Sequence, residues 1–288
     1  MKPDETTAPA GDARLCVHTF GSAYDPAVLL IQGAEGAMDW WEDEFCARIA
    51  GAGRYVIRYD HRDTGASTTY PPGEPGYTGR DLAEDVVAVL DARDVARAHL
   101  VGLSMGGALA QVVALEHPHR VASLTLVATS PTGDLPDDLD LPGMTEELAA
   151  HYAAEAPPTD WSDAAAATAA LVDGFRPFAG SGPFDEDGLR AVADRVVARS
   201  TSLASTANHY MTRPGSAPTG SLADLRVPTL VVHGREDPLF PLAHGEALAA
   251  LIPGARLLVL DHTGHELPRS AWDTFIPALL AHTAPVAR

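Results

Sequence analysis

Residues 98–107 read A-H-L-V-G-L-S-M-G-G, and this stretch decides the fold. The run 98–101 is apolar and strand-like. The segment 105–116, rich in Ala, Leu and Gln, has helical character, and G-x-S-x-G at 102–106 lies at the junction. A serine between strand and helix, flanked by glycines, is the context of a nucleophile elbow. The turn is so sharp that only small residues fit beside the serine, and Gly102, Gly106 and Gly107 supply them. Such a turn lifts the Ser104 hydroxyl above the sheet. It also aims the N-terminus of the next helix at the same spot, where negative charge is favoured. The alternative is a glycine-rich turn with an incidental serine, and partners elsewhere in the chain decide between the two.

Outward from this stretch the same alternation recurs. Apolar runs at 27–31 (AVLLI), 55–59 (YVIRY), 122–127 (ASLTLV), 228–232 (PTLVV) and 256–260 (RLLVL) have the length and continuity of strands buried on both faces. Helical patterns fall between them, at 244–251 and at 81–92, where Leu82, Val86 and Val89 share a face that Val87 and Leu90 widen. Strands alternating with helices imply an α/β protein, a mostly parallel sheet flanked by helices. Leu15 to Phe20 alternates more and reads as an antiparallel lead-in strand. From 131 to 220 the alternation stops. That segment opens with PTGDLPDDLDLPG and continues with Ala-rich helical patterns at 146–155 and 162–175 and a helix near 186–200. It closes with the turn-rich RPGSAPTG, and no sheet-type strand appears in it. The expected organisation is a core of 1–130 and 221–288 interrupted by a helical cap, or lid, at 131–220.

A serine hydroxyl is a poor nucleophile without a base and an acid that orients the base. Behind a strand-to-helix elbow the order along the chain is Ser, then Asp or Glu, then His. Asp237 stands in H-G-R-E-D-P just after the 228–232 run; Glu236 is its rival, and Pro238 reads as the turn beyond the acid. The last strand is followed by D-H-T-G-H-E, with His262 and His265; Gly264 allows a sharp loop that returns His265 to the sheet. His61, His233 and His244 are candidates for the same face, whereas His117 and His119 read as helix-end surface residues. A developing oxyanion also needs donors, each costing roughly 3–4 kcal/mol when removed. The Met105 backbone amide is one candidate. Ala34, in the loop Q-G-A-E-G at 32–36 where Gly33 permits an unusual backbone, is the other.

Composition narrows the partners. The 288 residues are 46% apolar and 20% charged, enough for a large core without disulfide staples. Net charge is −19, from 20 basic and 39 acidic residues, with Lys2 the single lysine. Such a surface repels phosphate backbones and anionic membranes, so a nucleic acid or membrane partner is not expected. Cys16 and Cys46, with no C-x-x-C, suit neither zinc nor redox chemistry and read as buried free thiols. No metal or organic cofactor is expected. The polar start MKPDETTAPAGDAR and the lack of an apolar stretch approaching about 18 residues point to a cytoplasmic protein. With no heptad run and no obvious edge strand, a monomer or weak homodimer is expected.

Q-G at 32–33, D-H-R-D-T-G-A-S at 60–67, G-L-S-M-G-G at 102–107, G-R-E-D-P at 234–238 and G-H at 264–265 span almost the whole chain in one order. Together they resemble the α/β-hydrolase fold in its cap-bearing esterase branch. That family usually carries His-Gly where Gln32-Gly33 stands here. Within it, R-Y-D-H-R-D-T-G-x-S-T at 58–68, V-G-L-S-M-G at 101–106 and the pair His209–Tyr210 before a Pro-bearing turn are similar to the aclacinomycin methylesterases of anthracycline biosynthesis. The resemblance implies hydrolysis of a carboxylic methyl ester on a glycosylated aromatic polyketide, releasing methanol and a free acid through an acyl-enzyme. It further implies a lid that clamps the aromatic substrate; a cationic amino sugar would suit the acidic chain. Gly33, Trp161, Phe175, Tyr210 and Phe240 are the substrate-binding candidates. Met38, Met144, Phe178 and the Met105 side chain are further ones, and each can equally be core. Asp60 and Arg62 read as braces of the 60–67 loop through charge-assisted bonds. The competing readings are a small-ester or lactone hydrolase, a carbon–carbon bond hydrolase, a cofactor-free perhydrolase, and a binding protein on a hydrolase scaffold.

Overall fold

A computed structural model describes residues 3–154, 158–216 and 218–284. Eight strands form one sheet: β1 (Asp4–Ala10), β2 (Ala13–Phe20), β3 (Ala27–Ile31), β4 (Tyr55–Tyr59), β5 (Ala98–Leu103), β6 (Val121–Val127), β7 (Thr229–Gly234) and β8 (Arg256–Leu260). Their spatial order is β1-β2-β4-β3-β5-β6-β7-β8. β2 pairs antiparallel with β1 and β4, and all other pairings are parallel. The continuous apolar runs of the inner strands are explained by burial on both faces, because successive side chains of a strand point to opposite sides; β8, expected to be buried likewise, is instead an edge strand with Arg256 exposed and Leu257, Leu258 and Val259 only partly buried. In β3, Leu29 and Ile31 enter one core cluster while Val28 and Leu30 enter the other; in β7, Val231 goes one way and Leu230 and Val232 the other.

Helices cover both faces. α1 (Asp43–Gly51) and α8 (Trp272–His282) pack on one face. α2 (Gly79–Ala92), α3 (Met105–Glu116) and α7 (Ala243–Leu251) pack on the other. α2 starts where Thr78 and Asp81 form a capping box, each satisfying the other's free amide. Three elements escaped the pattern in the sequence. β1 has a polar, exposed outer face and lies at the sheet edge, where Pro9 costs no ladder bond; it turns into β2 through Gly11–Asp12, with Gly11 at φ +60°. α1 is only nine residues long, and α8 carries Pro277 in its interior.

Between β6 and β7 the chain runs through α4 (Glu146–Ala153), α5 (Ala164–Phe175), α6 (Glu186–Arg199) and a 3₁₀ segment, Ala204–Tyr210. Thr145, Asp163 and Asp185 cap the three helices by accepting backbone amides of the first turn. Among the described residues this segment adds no strand to the sheet. Position 155, the expected end of its first helix, lies outside the described residues. Ala167, Val192, Val196 and Leu203 form a small cluster of their own with Ala37 of the loop after β3.

The 60–67 loop is braced differently from expectation. Asp60 and Arg62 do not pair with each other. Asp60 accepts the Met38 amide (2.9 Å) and pairs with Arg199 at the end of α6, which also grips Asp39. Arg62 instead makes a two-pronged bond to Asp85 (2.8 and 2.9 Å) and reaches Asp12. The chain leaves β4 at Tyr59 and turns at 62–63, with Asp63 at φ +67°, so the two side chains find their counter-charges on different elements.

Candidate active site

The backbone of the elbow is tightly constrained. Ser104 sits at φ +52°, ψ −118°, in the left-handed half of the map that a non-glycine residue enters only when its surroundings force it. Its amide donates to the Val127 carbonyl (2.9 Å), and its carbonyl accepts the Thr129 hydroxyl (2.8 Å). α3 presses so close to β3 that a Cβ on Gly106 would lie 2.2 Å from the Ile31 carbonyl oxygen.

Ser104, Asp237 and His265, predicted from separate parts of the chain, meet here. Ser104 Oγ is 2.9 Å from His265 Nε2, and His265 Nδ1 is 2.8 Å from Asp237 Oδ2. The other carboxylate oxygen, Asp237 Oδ1, accepts the Leu239 and Phe240 amides (2.9 and 2.8 Å). A carboxylate only accepts, so His265 carries its proton on Nδ1 and turns a lone pair toward the serine hydroxyl. Gly264 works by close approach rather than by a special turn: a Cβ there would lie 2.0 Å from the Phe178 carbonyl oxygen, which accepts the His265 amide at 2.8 Å. The rivals lie elsewhere. Glu236 takes the amide and hydroxyl of Ser181, and His262 is exposed beside the same serine. Two further Ser–His contacts exist, His99–Ser123 (2.8 Å) and His244–Ser130 (2.9 Å), but the second nitrogen of His244 meets the Pro142 carbonyl, not an acid.

Met105, next to the serine, and Ala34, next to the Gly33 that packs on the serine, have backbone amides without a partner among the described residues. Met105 is the first residue of α3, where no helical carbonyl is available to its N–H. In the other loop the neighbouring amides are taken. Gly33 N–H goes to Gln32 Oε1 (2.8 Å), Glu35 N–H to His209 Nδ1 (2.9 Å) and Gly36 N–H to the Gly33 carbonyl (3.2 Å). Gln32 thus does a local job in place of the family's usual histidine. The unusual backbone falls on Glu35, at φ +62°, rather than on Gly33.

Above these groups opens a cavity of about 920 Å³. Gly33, Trp161, Phe175, Tyr210 and Phe240 line it, as do Met105, Met144 and Phe178. Phe240 and Phe178 flank the His265 ring at 5.4 and 6.0 Å between centroids. Met38 does not reach the cavity; it is fully buried beneath the loop that carries it. His61, His233 and His244 are likewise behind the wall, not in it. His61 donates to the Gln32 carbonyl (2.9 Å), and burial pushes its imidazole down to about 3; His233 donates to the Phe240 carbonyl (2.7 Å). Among the lining residues that the sequence reading missed are Trp40, Glu35 and Glu266. Trp40 packs on Phe175 at 4.5 Å, and Glu35 and Glu266 are carboxyls that burial pushes up. Glu266, next to His265, and Glu35, next to Ala34, carried a positional signal; Trp40 did not.

Metal-ligating side chains cluster in threes at Glu5–Cys16–His18 and at Glu84–Glu116–His117, neither of them in the cavity wall. In the first, Arg58 donates to His18 Nδ1 (3.2 Å), so Nε2–H faces Glu5 (2.9 Å), and burial pushes the Cys16 thiol up to about 12. In the second, Arg80 pairs with both glutamates. The first set is held by hydrogen bonds and the second by ion pairs. Cys46 is also buried and free. No helix among the described residues is long and apolar enough to cross a membrane.

Residues 26–268 match the alpha/beta hydrolase fold family. The chain is 33% identical over 277 residues to rhodomycin D methylesterase DauP of Streptomyces sp. (strain C5), covering 92% of this chain and 93% of that protein. It is 28% identical to the putative carbamate hydrolase RutD of Pseudomonas savastanoi pv. phaseolicola, over 86% of this chain and 90% of the other. Among solved structures, a hydrolase from Pseudomonas aeruginosa PA01 is similar with a TM-score of 0.70 at 29% identity, covering 99% of both chains.

Proposed function

The chain belongs to the α/β-hydrolase fold family and is a carboxylic ester hydrolase, and on that premise we propose that it demethylates a carboxylic methyl ester on a glycosylated aromatic polyketide. The observation that carries this reading is a hydrogen-bonded Ser–His–Asp chain, next to two unpartnered amides, under an aromatic-lined cavity. Similarity to a methylesterase over nine-tenths of the chain supports the choice of ester. In this account 131–220 is a helical cap on a core of 1–130 and 221–288, and the cap supplies Trp161, Phe175 and Tyr210 to hold the flat ring system.

The mechanism follows from the distances. Ser104 Oγ gives its proton to His265 Nε2 and attacks the ester carbonyl carbon. The carbonyl oxygen gains the negative charge and turns toward the amides of Met105 and Ala34; the N-terminus of α3 favours the same charge. Asp237 holds the imidazolium in place. The tetrahedral centre collapses, the C–O bond to the methoxy group breaks, and methoxide leaves with the proton from His265 Nε2 as methanol. Water, deprotonated by the same nitrogen, then attacks the acyl-serine; the free acid departs and Ser104 regains its proton.

Carbamate hydrolysis is the second reading, favoured by the similarity to RutD. It would use the same side chains on a carbonyl bonded to nitrogen. Mass spectrometry on a panel of polyketide methyl esters, simple acyl esters and carbamates separates them. The expected result is loss of one methylene unit from the polyketide esters alone. Turnover confined to carbamates or to short acyl esters would refute the methylesterase reading.

A further inference from the structure

We propose that His209 and Tyr210 are positioning residues of the oxyanion hole, gripping Glu35 so that the neighbouring Ala34 amide stays aimed at the reacting carbonyl; this rests on the reading of Ser104 and the two amides above. The two donors are held by unlike means. Met105 is fixed by the helix it begins. Ala34 sits in an irregular loop, followed by a residue in the left-handed region. A loop in that conformation drifts toward easier dihedrals unless it is tied down.

The ties come from the 3₁₀ segment that closes the cap. His209 is 6% exposed, and both ring nitrogens are committed. Nε2–H donates to the Arg62 carbonyl (2.8 Å), which leaves Nδ1 as the acceptor for the Glu35 amide (2.9 Å). Arg62 is itself anchored on Asp85, so the imidazole stands on a fixed base. Tyr210 takes the other end of the same residue: its hydroxyl donates to Glu35 Oε2 (3.2 Å). His61 stands edge-on to His209 at 5.8 Å and donates to the Gln32 carbonyl at the start of the loop. Two side chains about 175 positions downstream thus set the geometry of one amide. The adjacent pair His209–Tyr210, conspicuous in the sequence, gains a role that apolar contact alone does not require.

Turnover of p-nitrophenyl acetate by native protein, Ser104→Ala, His209→Phe, His209→Asn and Tyr210→Phe tests this, together with backbone amide exchange at Ala34 and Glu35. His209→Phe keeps a ring and loses both hydrogen bonds; it is expected to lower kcat by about 10- to 100-fold with KM within about twofold, a fraction of what loss of a whole oxyanion donor costs. His209→Asn, whose Oδ1 falls near the Nδ1 position, should recover most of that loss. Tyr210→Phe should lower kcat by about threefold, the size of one modest hydrogen bond. Exchange at Glu35 should quicken in His209→Phe and be restored in His209→Asn. If His209→Phe does not fold, Tyr210, whose side chain is largely exposed, carries the test through the same kcat and exchange changes. A raised KM with unchanged kcat, or equal rates in Asn and Phe variants, overturns the proposal. So do native rates in all three while Ser104→Ala is inert, in which case the hydrolase mechanism stands without it. If Ser104→Ala turns over normally, that mechanism fails and the proposal falls with it.

Discussion

The rim of the sheet and the helical segment between β6 and β7, which lines the cavity with it, do different work under different constraints. At the rim, a hydroxyl, an imidazole and a carboxylate must meet within 2.9 Å, on a turn where a single Cβ would collide with backbone 2.2 Å away. Few residue types satisfy such geometry, so the rim is written in fixed letters. The helical segment needs only an apolar wall of suitable width. Met, Trp, Phe and Leu are nearly interchangeable there, and its helices are held by caps and a small cluster. Precision leaves a readable trace in sequence, and mere apolarity does not.

Substitutions break or sharpen this contrast. Ser104→Ala should reduce kcat by about 10⁵- to 10⁶-fold while leaving the thermal midpoint near native, since removing a nucleophile costs that much where the triad acts as a unit. Asp237→Asn should cost about 10⁴-fold, because an amide at that position favours the wrong histidine tautomer. Steady-state kinetics on p-nitrophenyl acetate measures both. Arg199→Leu tests the joint between the regions. It leaves Asp60, with no side-chain exposure, and Asp39 facing each other without their cation, and should destabilise the fold by about 3–5 kcal/mol in urea denaturation. Phe175→Ala, in the wall from the helical segment, should raise KM for a polyketide methyl ester about 10-fold with kcat within about twofold, the signature of lost apolar contact.

The smallest effect is on pH. Burial holds His61 down at about 3 and His99 at about 4, whereas a histidine in the unfolded chain titrates near 6.5. Between these limits the unfolded state binds more protons, so this stability is fully present above about pH 6.5 and is lost as pH falls toward 4. Glu35 and Glu266, pushed up by burial, oppose the trend near its acid end. The thermal midpoint should therefore decline from pH 7 to pH 4.5; a midpoint that rises over that range contradicts the assignment.

Legibility followed the same division. The strands 27–31 and 55–59 stand in the structure with the bounds their apolar runs suggest, because burial on both faces demands continuity; 256–260 keeps its bounds too, although it is an edge strand and only partly buried. The meeting of Ser104, Asp237 and His265 was legible because each lies a few residues beyond a strand end. β1 was not, since an edge strand with a wet outer face has no need of apolar residues there. Nor were the partners of Asp60 and Arg62: Arg199 is 139 positions from Asp60 and Asp85 is 23 from Arg62, and charge pairing leaves no mark in spacing when the partners sit on separate elements. Met38 and the three inner histidines look like site residues in sequence because they neighbour the right motifs, yet all four are buried outside the cavity wall.

The central claim is that Ser104 is the nucleophile, and a fluorophosphonate, which stays bonded to an activated serine oxygen, tests it most directly. Intact-protein and peptide mass spectrometry should find one adduct per chain, on the peptide carrying Ser104, with ester turnover lost in proportion to labelling. An adduct on another residue, or undiminished turnover by fully labelled protein, would contradict the account.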